Sequence, residues 1–184
     1  LEVGDGFAPV SLDGARLAIG SYGDDGANNT VTDSGAVYLF EFVDLSFNTP
    51  SLSAIIGADY TGGNNLDLSG MLGTGDAFSE LSLDGTRLAV TAYLDDGANN
   101  TVTDSGAAYL FEFADLSFNT PTLSAIIGAG YTGGNNVDMS SELDAGDSFG
   151  YFPSLDGSRI ALSSGLDDGA GNSSTDTGAV YFFN

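Results

Sequence analysis

The residues of this sequence that could do chemistry are aspartates and asparagines, concentrated in three similar polar loops that each open with Asp-Asp-Gly. Carboxylate and amide oxygens are the ligands that Ca²⁺ prefers, and the ion binds six to eight of them. The alternative is that Asp and Asn cap turns through hydrogen bonds to their own backbone. We predict calcium as the cofactor, held by Asp24, Asp25, Asn28 and Asp33, by Asp95, Asp96, Asn99 and Asp104, and by Asp167, Asp168, Asn172 and Asp176.

The same three loops contain sequences that accept N-linked glycan. Asn28, Asn99 and Asn172 each begin an Asn-x-Ser/Thr sequence, which is glycosylated on exposed loops of secreted eukaryotic proteins. In a bacterial protein these sequences carry no such meaning. The loops therefore predict a glycoprotein only if the chain passes through a secretory pathway.

A second type of loop reads Tyr-Thr-Gly-Gly-Asn-Asn and occurs twice. An aromatic ring beside amide groups is a combination that can hold a sugar, which makes Tyr60, Asn64, Tyr131 and Asn135 candidate ligand-binding residues. Gly-Gly and Asn-Asn pairs also form turns without any ligand, and we favour this turn-forming interpretation over ligand binding.

Composition argues against an enzyme and against several classes of partner. The chain has no His or Cys, and its three basic residues are arginines, so the usual catalytic bases and nucleophiles are missing. Its net charge of −23 repels nucleic acid and anionic lipid and attracts cations. No apolar run approaches the roughly 20 residues that span a bilayer. We expect no catalysis, no nucleic acid partner and no membrane insertion.

Self-comparison shows that the chain is a tandem repeat. The segment Asp-Ser-Gly-Ala-Val-Tyr-Leu-Phe at Asp33 returns in similar form at Asp104 and Asp176, a period of about 71 residues. Gly-Asp-x-Phe, Ser-Leu-Asp-Gly and Asp-Asp-Gly blocks recur in step, with one arginine per unit. Such periodicity is typical of proteins built from stacked structural units. The predicted units are residues 1–57, 58–128 and 129–184, the last of them incomplete.

Each unit is predicted to contain four short antiparallel strands and no substantial helix. In the first unit the strands cover about residues 7–12, 16–21, 36–43 and 51–56, with a hairpin turn at Asp13-Gly14 and a long polar loop before the third strand. Four-stranded units pack face to face as propeller blades, whereas solenoid coils are usually shorter. The predicted fold is all-β, with three propeller-type blades in tandem.

The repeated blocks resemble a known family. Gly-Asp-x-Phe, Ser-Leu-Asp-Gly-x-Arg-Leu-Ala, Asp-Asp-Gly and Ser-Gly-Ala-Val-Tyr-Leu-Phe are similar to FG-GAP repeats, the blades of the integrin α-subunit propeller and of large bacterial surface proteins. The resemblance implies propeller blades, an extracellular setting, adhesion and frequently bound calcium. Only Phe149-Gly150 keeps the Phe-Gly pair. The family's calcium loop between the first two strands is replaced here by the Asp-Gly turn.

These observations together predict an extracellular structural or adhesive protein that assembles through its repeats. The sequence starts without Met or a signal peptide, so we expect a mature or excised segment, and the first and last units each lack a predicted neighbouring strand. Blade or strand completion would then join the chain to further copies of itself, or to the rest of a longer repeat chain, as a multimer or filament. The alternative is a lectin-like or integrin-like binding segment that recognises glycan or a cell-surface protein.

Overall fold

The structure is a computed structural model that describes residues 4–184, and it confirms the prediction of an all-β chain. The first three residues of the predicted first unit lie outside the described range. Residues 4–184 form three sheets of five, five and three strands and contain no α-helix. No helix in this range could therefore cross a membrane. Each sheet corresponds to one of the three sequence repeats.

The first sheet has the strand order β1-β2-β3-β4-β5. Its members are β1 (Phe7–Asp13), β2 (Arg16–Ser21), β3 (Ala36–Glu41), β4 (Ser51–Gly57) and β5 (Leu66–Asp67). The first four strands pair antiparallel, each with its neighbour in sequence, and β5 adds a short parallel pair with β4.

The second sheet repeats this order and the third contains its first three strands. The second consists of β6 (Phe78–Asp84), β7 (Arg87–Ala92), β8 (Ala107–Glu112), β9 (Thr122–Gly128) and β10 (Val137–Asp138). The third consists of β11 (Phe149–Asp156), β12 (Arg159–Ser164) and β13 (Ala179–Phe183).

The parallel strands β5 and β10 are the elements that the sequence did not predict. Each is two residues long, too short for an apolar period, and each is positioned by an asparagine just before it. The side-chain Oδ1 of Asn65 accepts from the amide of Ile55 at 2.8 Å, and Asn136 does the same for Ile126. The first sheet therefore continues past residue 57, into the range predicted for the second unit.

The core lies between consecutive sheets. Val37 and Leu39 of β3 point toward the second sheet and pack with its Phe78, Leu81 and Leu83. A second cluster joins the second and third sheets through Ala108, Phe149 and Leu162. This packing explains why the third strands of the first two units are almost wholly apolar, because each is covered by the unit that follows it.

Candidate functional site: the polar loops and the interface between units

The first aspartate of each Asp-Asp-Gly loop is buried beneath the loop. Asp24, Asp95 and Asp167 are each 2 % exposed. In all three copies Oδ1 accepts from the amide two residues later, and Oδ2 accepts from a tyrosine hydroxyl of the third strand at 2.6 Å. These carboxylates hold the loop to the sheet below it.

The tyrosines predicted to bind a ligand contribute their hydroxyls to the same network. Tyr60 donates to Asp24 and Tyr131 donates to Asp95, each at 3.0 Å to Oδ2. Burial is the main cause that raises the pKa of Tyr60 to about 12, and it also raises the pKa of Tyr131. Both hydroxyls therefore remain protonated donors at neutral pH, engaged inside the fold.

The second aspartate of each loop closes the loop on itself. Oδ1 of Asp25 accepts from the amide of Asp33 at 2.7 Å. In the later copies Asp96 accepts from the amide of Asp104, and Asp168 accepts from the amide of Asp176. The residue whose amide donates this hydrogen bond has a positive φ in every copy, between 51° and 53°. Turn capping, the alternative considered for these residues, is thus present in all three loops.

The predicted calcium ligands of each loop have different partners in the structure. Within residues 4–184 no group of three or more carboxylates is arranged to hold a metal ion. Two aspartates of each set bond to amides or tyrosines, and Asn28, Asn99 and Asn172 are exposed on the outer side of the loop. The calcium site stays a prediction. The same exposure leaves the three Asn-x-Ser/Thr sites accessible, and glycosylation also stays a prediction.

A further buried carboxylate lies beside the second loop. Asp76 is 6 % exposed, and its Oδ2 accepts from the amide of Gly73 at 2.7 Å. Burial, reinforced by the negative charges of Asp95, Asp96 and Asp104, raises the pKa of Asp76 to about 6. The ionised form of Asp76 is therefore a destabilising element of the folded protein at neutral pH.

This shift predicts that Asp76→Asn stabilises the protein at pH 7 and has no effect at pH 4. A raised folded-state pKa means that stability is lost as pH rises from about 4 through 6, by about 1–3 kcal/mol for a shift of this size. The amide stays neutral and can still accept from Gly73. Chemical denaturation at both pH values measures the difference. The control Asp115→Asn should instead lower stability at pH 7, because hydrogen bonds from Asn119 and Ser117 lower the pKa of Asp115. Equal effects of Asp76→Asn at both pH values would contradict the raised pKa of Asp76.

The outer segment of each polar loop binds the next unit through its backbone. The carbonyls of Thr32, Asp33 and Ser34 accept from the amides of Gly75, Ala77 and Phe78, over 2.9–3.1 Å. The second interface repeats the same three bonds with the same lengths, from Gly146, Ser148 and Phe149 to Thr103, Asp104 and Ser105. The Gly-Asp-x-Phe block of one unit is therefore docked on the polar loop of the unit before it.

The tips of the first hairpins make a second set of contacts between units. Ser11 Oγ accepts from the amide of Leu83, Asp13 Oδ2 accepts from the amide of Gly85, and Arg16 donates to the carbonyl of Gly85. Between the second and third units the corresponding residues make these contacts again, with Ser82, Asp84 and Arg87 binding Leu155 and Gly157. The Ser-Leu-Asp-Gly-x-Arg block is thus an inter-unit binding motif.

The arginines form ion pairs with acidic residues of their own sheets and not with the aspartates of adjacent hairpins. Arg16 and Arg159 form ion pairs with Asp13 and Asp156 of their own hairpins, and Arg87 lies 3.5 Å from Glu112 of its own sheet. What Arg16 and Arg87 reach in the next unit is a backbone carbonyl. The physical reason is that the aspartate of the next hairpin faces its own following unit.

A loop of the second unit covers the outer rim of the first interface. Phe118 is fully buried there, with the guanidinium of Arg16 5.4 Å from its ring centre. Asn64 donates to the side chain of Asn119 at 3.1 Å, which gives one predicted ligand-binding residue a role in joining units. At the second interface the corresponding place is a cleft of about 290 Å³, lined by Leu110, Leu155 and other residues.

Sequence interpretation missed the interface because it assigned the repeated blocks to single units. The signal was present: a serine, an aspartate and an arginine recur around every hairpin turn at the repeat period. Identical polar residues at identical tips are what tip-to-tip contacts between stacked units require.

Comparison of the chain with protein-family models finds no matching family, and comparison with curated proteins finds no match either.

Proposed function

We propose that the chain is an extracellular structural or adhesive protein whose activity is head-to-tail docking of its repeat units. The observation that carries the proposal is that one set of six hydrogen bonds joins the first unit to the second and is repeated between the second and the third. A set of contacts that recurs from head to tail is heterologous, and such contacts continue into rings or filaments.

The first unit presents the face that docks in the internal interfaces, here called the head face and formed by Phe7, Val10, Leu12 and Phe47. Val10 and Leu12 are more than half exposed, whereas their counterparts Leu81 and Leu83 are buried against the first unit. Phe47 is also exposed, while its counterpart Phe118 is fully buried. These side chains form an apolar surface of the kind that marks a protein interface.

The third unit presents the complementary face, here called the tail face and formed by Gly178, Val180 and Phe182 with the loop of residues 175–177. Val180 and Phe182 are 58 % and 77 % exposed, whereas Val37 and Leu39 at the same positions of the first unit are fully buried by the second. The carbonyls of residues 175–177 correspond to those that accept the Gly-Asp-x-Phe amides in both internal interfaces.

The arrangement of the first strands supports propeller-type blades. β6 packs between β1 and β11. Ala8, Glu80 and Phe152, one from the first strand of each unit, line a single cavity of about 410 Å³. Three first strands around one cavity are arranged as propeller blades are around their central axis. Propellers use about four to eight blades. Two chains docked head to tail would supply six units.

The extracellular setting rests on the surface chemistry and on the resemblance to FG-GAP repeats. The Asp- and Asn-rich loops lie outward with their glycan acceptor sites exposed. A net charge of −23 keeps such a chain soluble in saline medium and favours bound cations, of which calcium is our proposal. Partners are then further repeats of the same kind, with glycan or a cell-surface protein as the adhesive target.

The docking proposal is tested with one variant on each face. Leu12→Asp places a charge on the head face and Phe182→Asp places one on the tail face, and both residues are exposed in the single chain, so folding should be unaffected. In analytical ultracentrifugation at rising concentration we expect wild type to associate and each variant to remain a monomer. An equimolar mixture of the two variants should form a dimer and nothing larger, because each supplies one intact face.

Leu116→Asp is the matched control, since Leu116 is equally exposed but belongs to the second unit, off both faces. It should associate like wild type. Repeating the series in calcium and in excess chelator shows whether docking depends on the ion. A mixture that stays monomeric at every concentration, with both variants folded, would exclude docking of the chain's unmodified head face on its own tail face.

A further inference from the structure

The two internal interfaces share a steric rule at one pair of positions. Gly20 of β2 lies against Ser79 of β6, and a Cβ built on Gly20 would lie 2.1 Å from the backbone oxygen of Ser79. That distance is far inside van der Waals contact, and the atom it meets is backbone, which cannot move aside as a side chain can. The first interface therefore requires glycine on the β2 side.

In the second interface the glycine is the other member of the corresponding residue pair. Thr91 occupies the position of Gly20, and Gly150 occupies the position of Ser79. A Cβ built on Gly150 would lie 2.7 Å from Cβ of Thr91, and Gly150 has φ 104°, which other residues rarely adopt. The threonine hydroxyl donates to the carbonyl of Gly150 at 2.6 Å. Each interface thus contains one glycine, on opposite sides.

The tail face and the head face do not complete this rule when they meet each other. Beside the tail face, Ser163 of the strand β12 occupies the position of Gly20 and Thr91. Beside the head face, Ala8 follows Phe7 directly and occupies the position of Ser79 and Gly150. Both residues have a Cβ, so docking in the observed geometry would force either the 2.1 Å contact of the first interface or the 2.7 Å contact of the second.

We infer that the tail face selects a repeat unit whose Gly-Asp-x-Phe block is followed by glycine, and that Ala8 makes this chain's own head face a poor partner for it. The inference rests on the proposed head-to-tail docking and specifies the partner. The occupant it predicts is a repeat of the same type with a Phe-Gly pair, as in Phe149-Gly150. The hydroxyl of Ser163, which donates to Tyr151 within its own unit, is placed as Thr91 is to reach the incoming glycine carbonyl.

The heterodimer of the two face variants provides the measurement. The Leu12→Asp chain supplies the tail face, and the Phe182→Asp chain supplies the head face with or without Ala8→Gly. Sedimentation equilibrium should show that Ala8→Gly lowers the dissociation constant at least about tenfold, the size expected when an overlap of one side-chain carbon is removed. Ala8 is exposed, so the substitution should leave the monomer folded.

Two further variants define the cause. Ala8→Ser keeps a Cβ and reproduces the residue at position 79, and it should leave the dissociation constant unchanged. Ser163→Gly on the tail-face chain reproduces Gly20 and should strengthen docking to the unmodified head face by a similar factor. Equal dissociation constants for the unmodified head face and for its Ala8→Gly and Ala8→Ser variants would overturn the selection rule while leaving docking intact. Failure of every pair to associate, including both glycine variants, would instead reject docking itself.

Discussion

The Gly106→Ala variant is expected to lose more than about 3 kcal/mol of its free energy of unfolding, with the melting temperature falling by about 10 °C. A Cβ at Gly106 would lie 2.2 Å from the carbonyl oxygen of Phe149 and 2.4 Å from its amide nitrogen, which belong to the next unit. The same residue has φ 83°, where alanine is strained. Thermal and chemical denaturation followed by circular dichroism measure the loss.

The loss of structure should be confined to the interface between the second and third units, because Phe149 docks the third unit there. Limited proteolysis should therefore cleave residues beyond about 146 first. Gly134→Ala is the matched control: Gly134 has a positive φ of 58° but open space around it, so about 1 kcal/mol is expected from backbone strain alone. Similar losses for the two variants would show that the close approach of Gly106 to Phe149 is not what matters.

Asp95→Ala is the second change expected to have a large effect, a loss of about 2–4 kcal/mol. Tyr109 is fully buried, and its hydroxyl donates to Asp95 at 2.6 Å, while the buried amide of Gly97 donates to the same carboxylate. Removing the acceptor leaves the amide of Gly97 without its partner, and it leaves the hydroxyls of Tyr109 and Tyr131 with only each other, 3.2 Å apart. Each unsatisfied buried group costs about 1–3 kcal/mol. Chemical denaturation at pH 7 gives the comparison with wild type.

Asp95→Asn separates hydrogen bonding from charge. The amide keeps one acceptor oxygen and removes a negative charge that burial disfavours, as the raised pKa of Asp95 indicates. It should therefore lose much less stability than Asp95→Ala. If wild type gained stability from added calcium and Asp95→Asn did not, the second loop would be an ion site rather than only a capped turn. Equal stability of the Ala variant and wild type would reject the structural role of the network.

Sequence periodicity predicted the individual strands because each is bounded by residues with strong local preferences. The second strand, predicted at 16–21, is observed at Arg16–Ser21, between a hairpin turn and a polar loop. In the hairpin, Gly14 adopts φ 60°, which its lack of a Cβ permits. The third strand ends at Glu41, two residues before the predicted end. The amide of Phe42 donates to the carbonyl of Ala15 in the hairpin turn, and the amide of Val43 donates to the carbonyl of Asn48 in the following loop.

The chemistry of the polar loops was harder to predict, because residue type does not distinguish a ligand from a cap. Asp24 and Asp25 are adjacent and identical in type, yet one is buried under a tyrosine and the other closes a loop through the amide of Asp33. That difference follows from which side of the loop faces the sheet. The partners of Ser11 and Asp13 were also out of reach, since they lie 72 residues away in another unit.

Each of the six hydrogen bonds that recur between units has a main-chain group on at least one side. Amides of Gly75, Ala77 and Phe78 meet carbonyls of the preceding loop, and even the side chains of Asp13 and Arg16 bind main-chain atoms of Gly85. A duplicated gene segment therefore encodes a unit that already fits its parent, before any substitution has adapted the two surfaces. Such a protein can lengthen by copying and then diverge in its exposed loops, with one position beside the recurring Phe deciding which neighbours remain compatible.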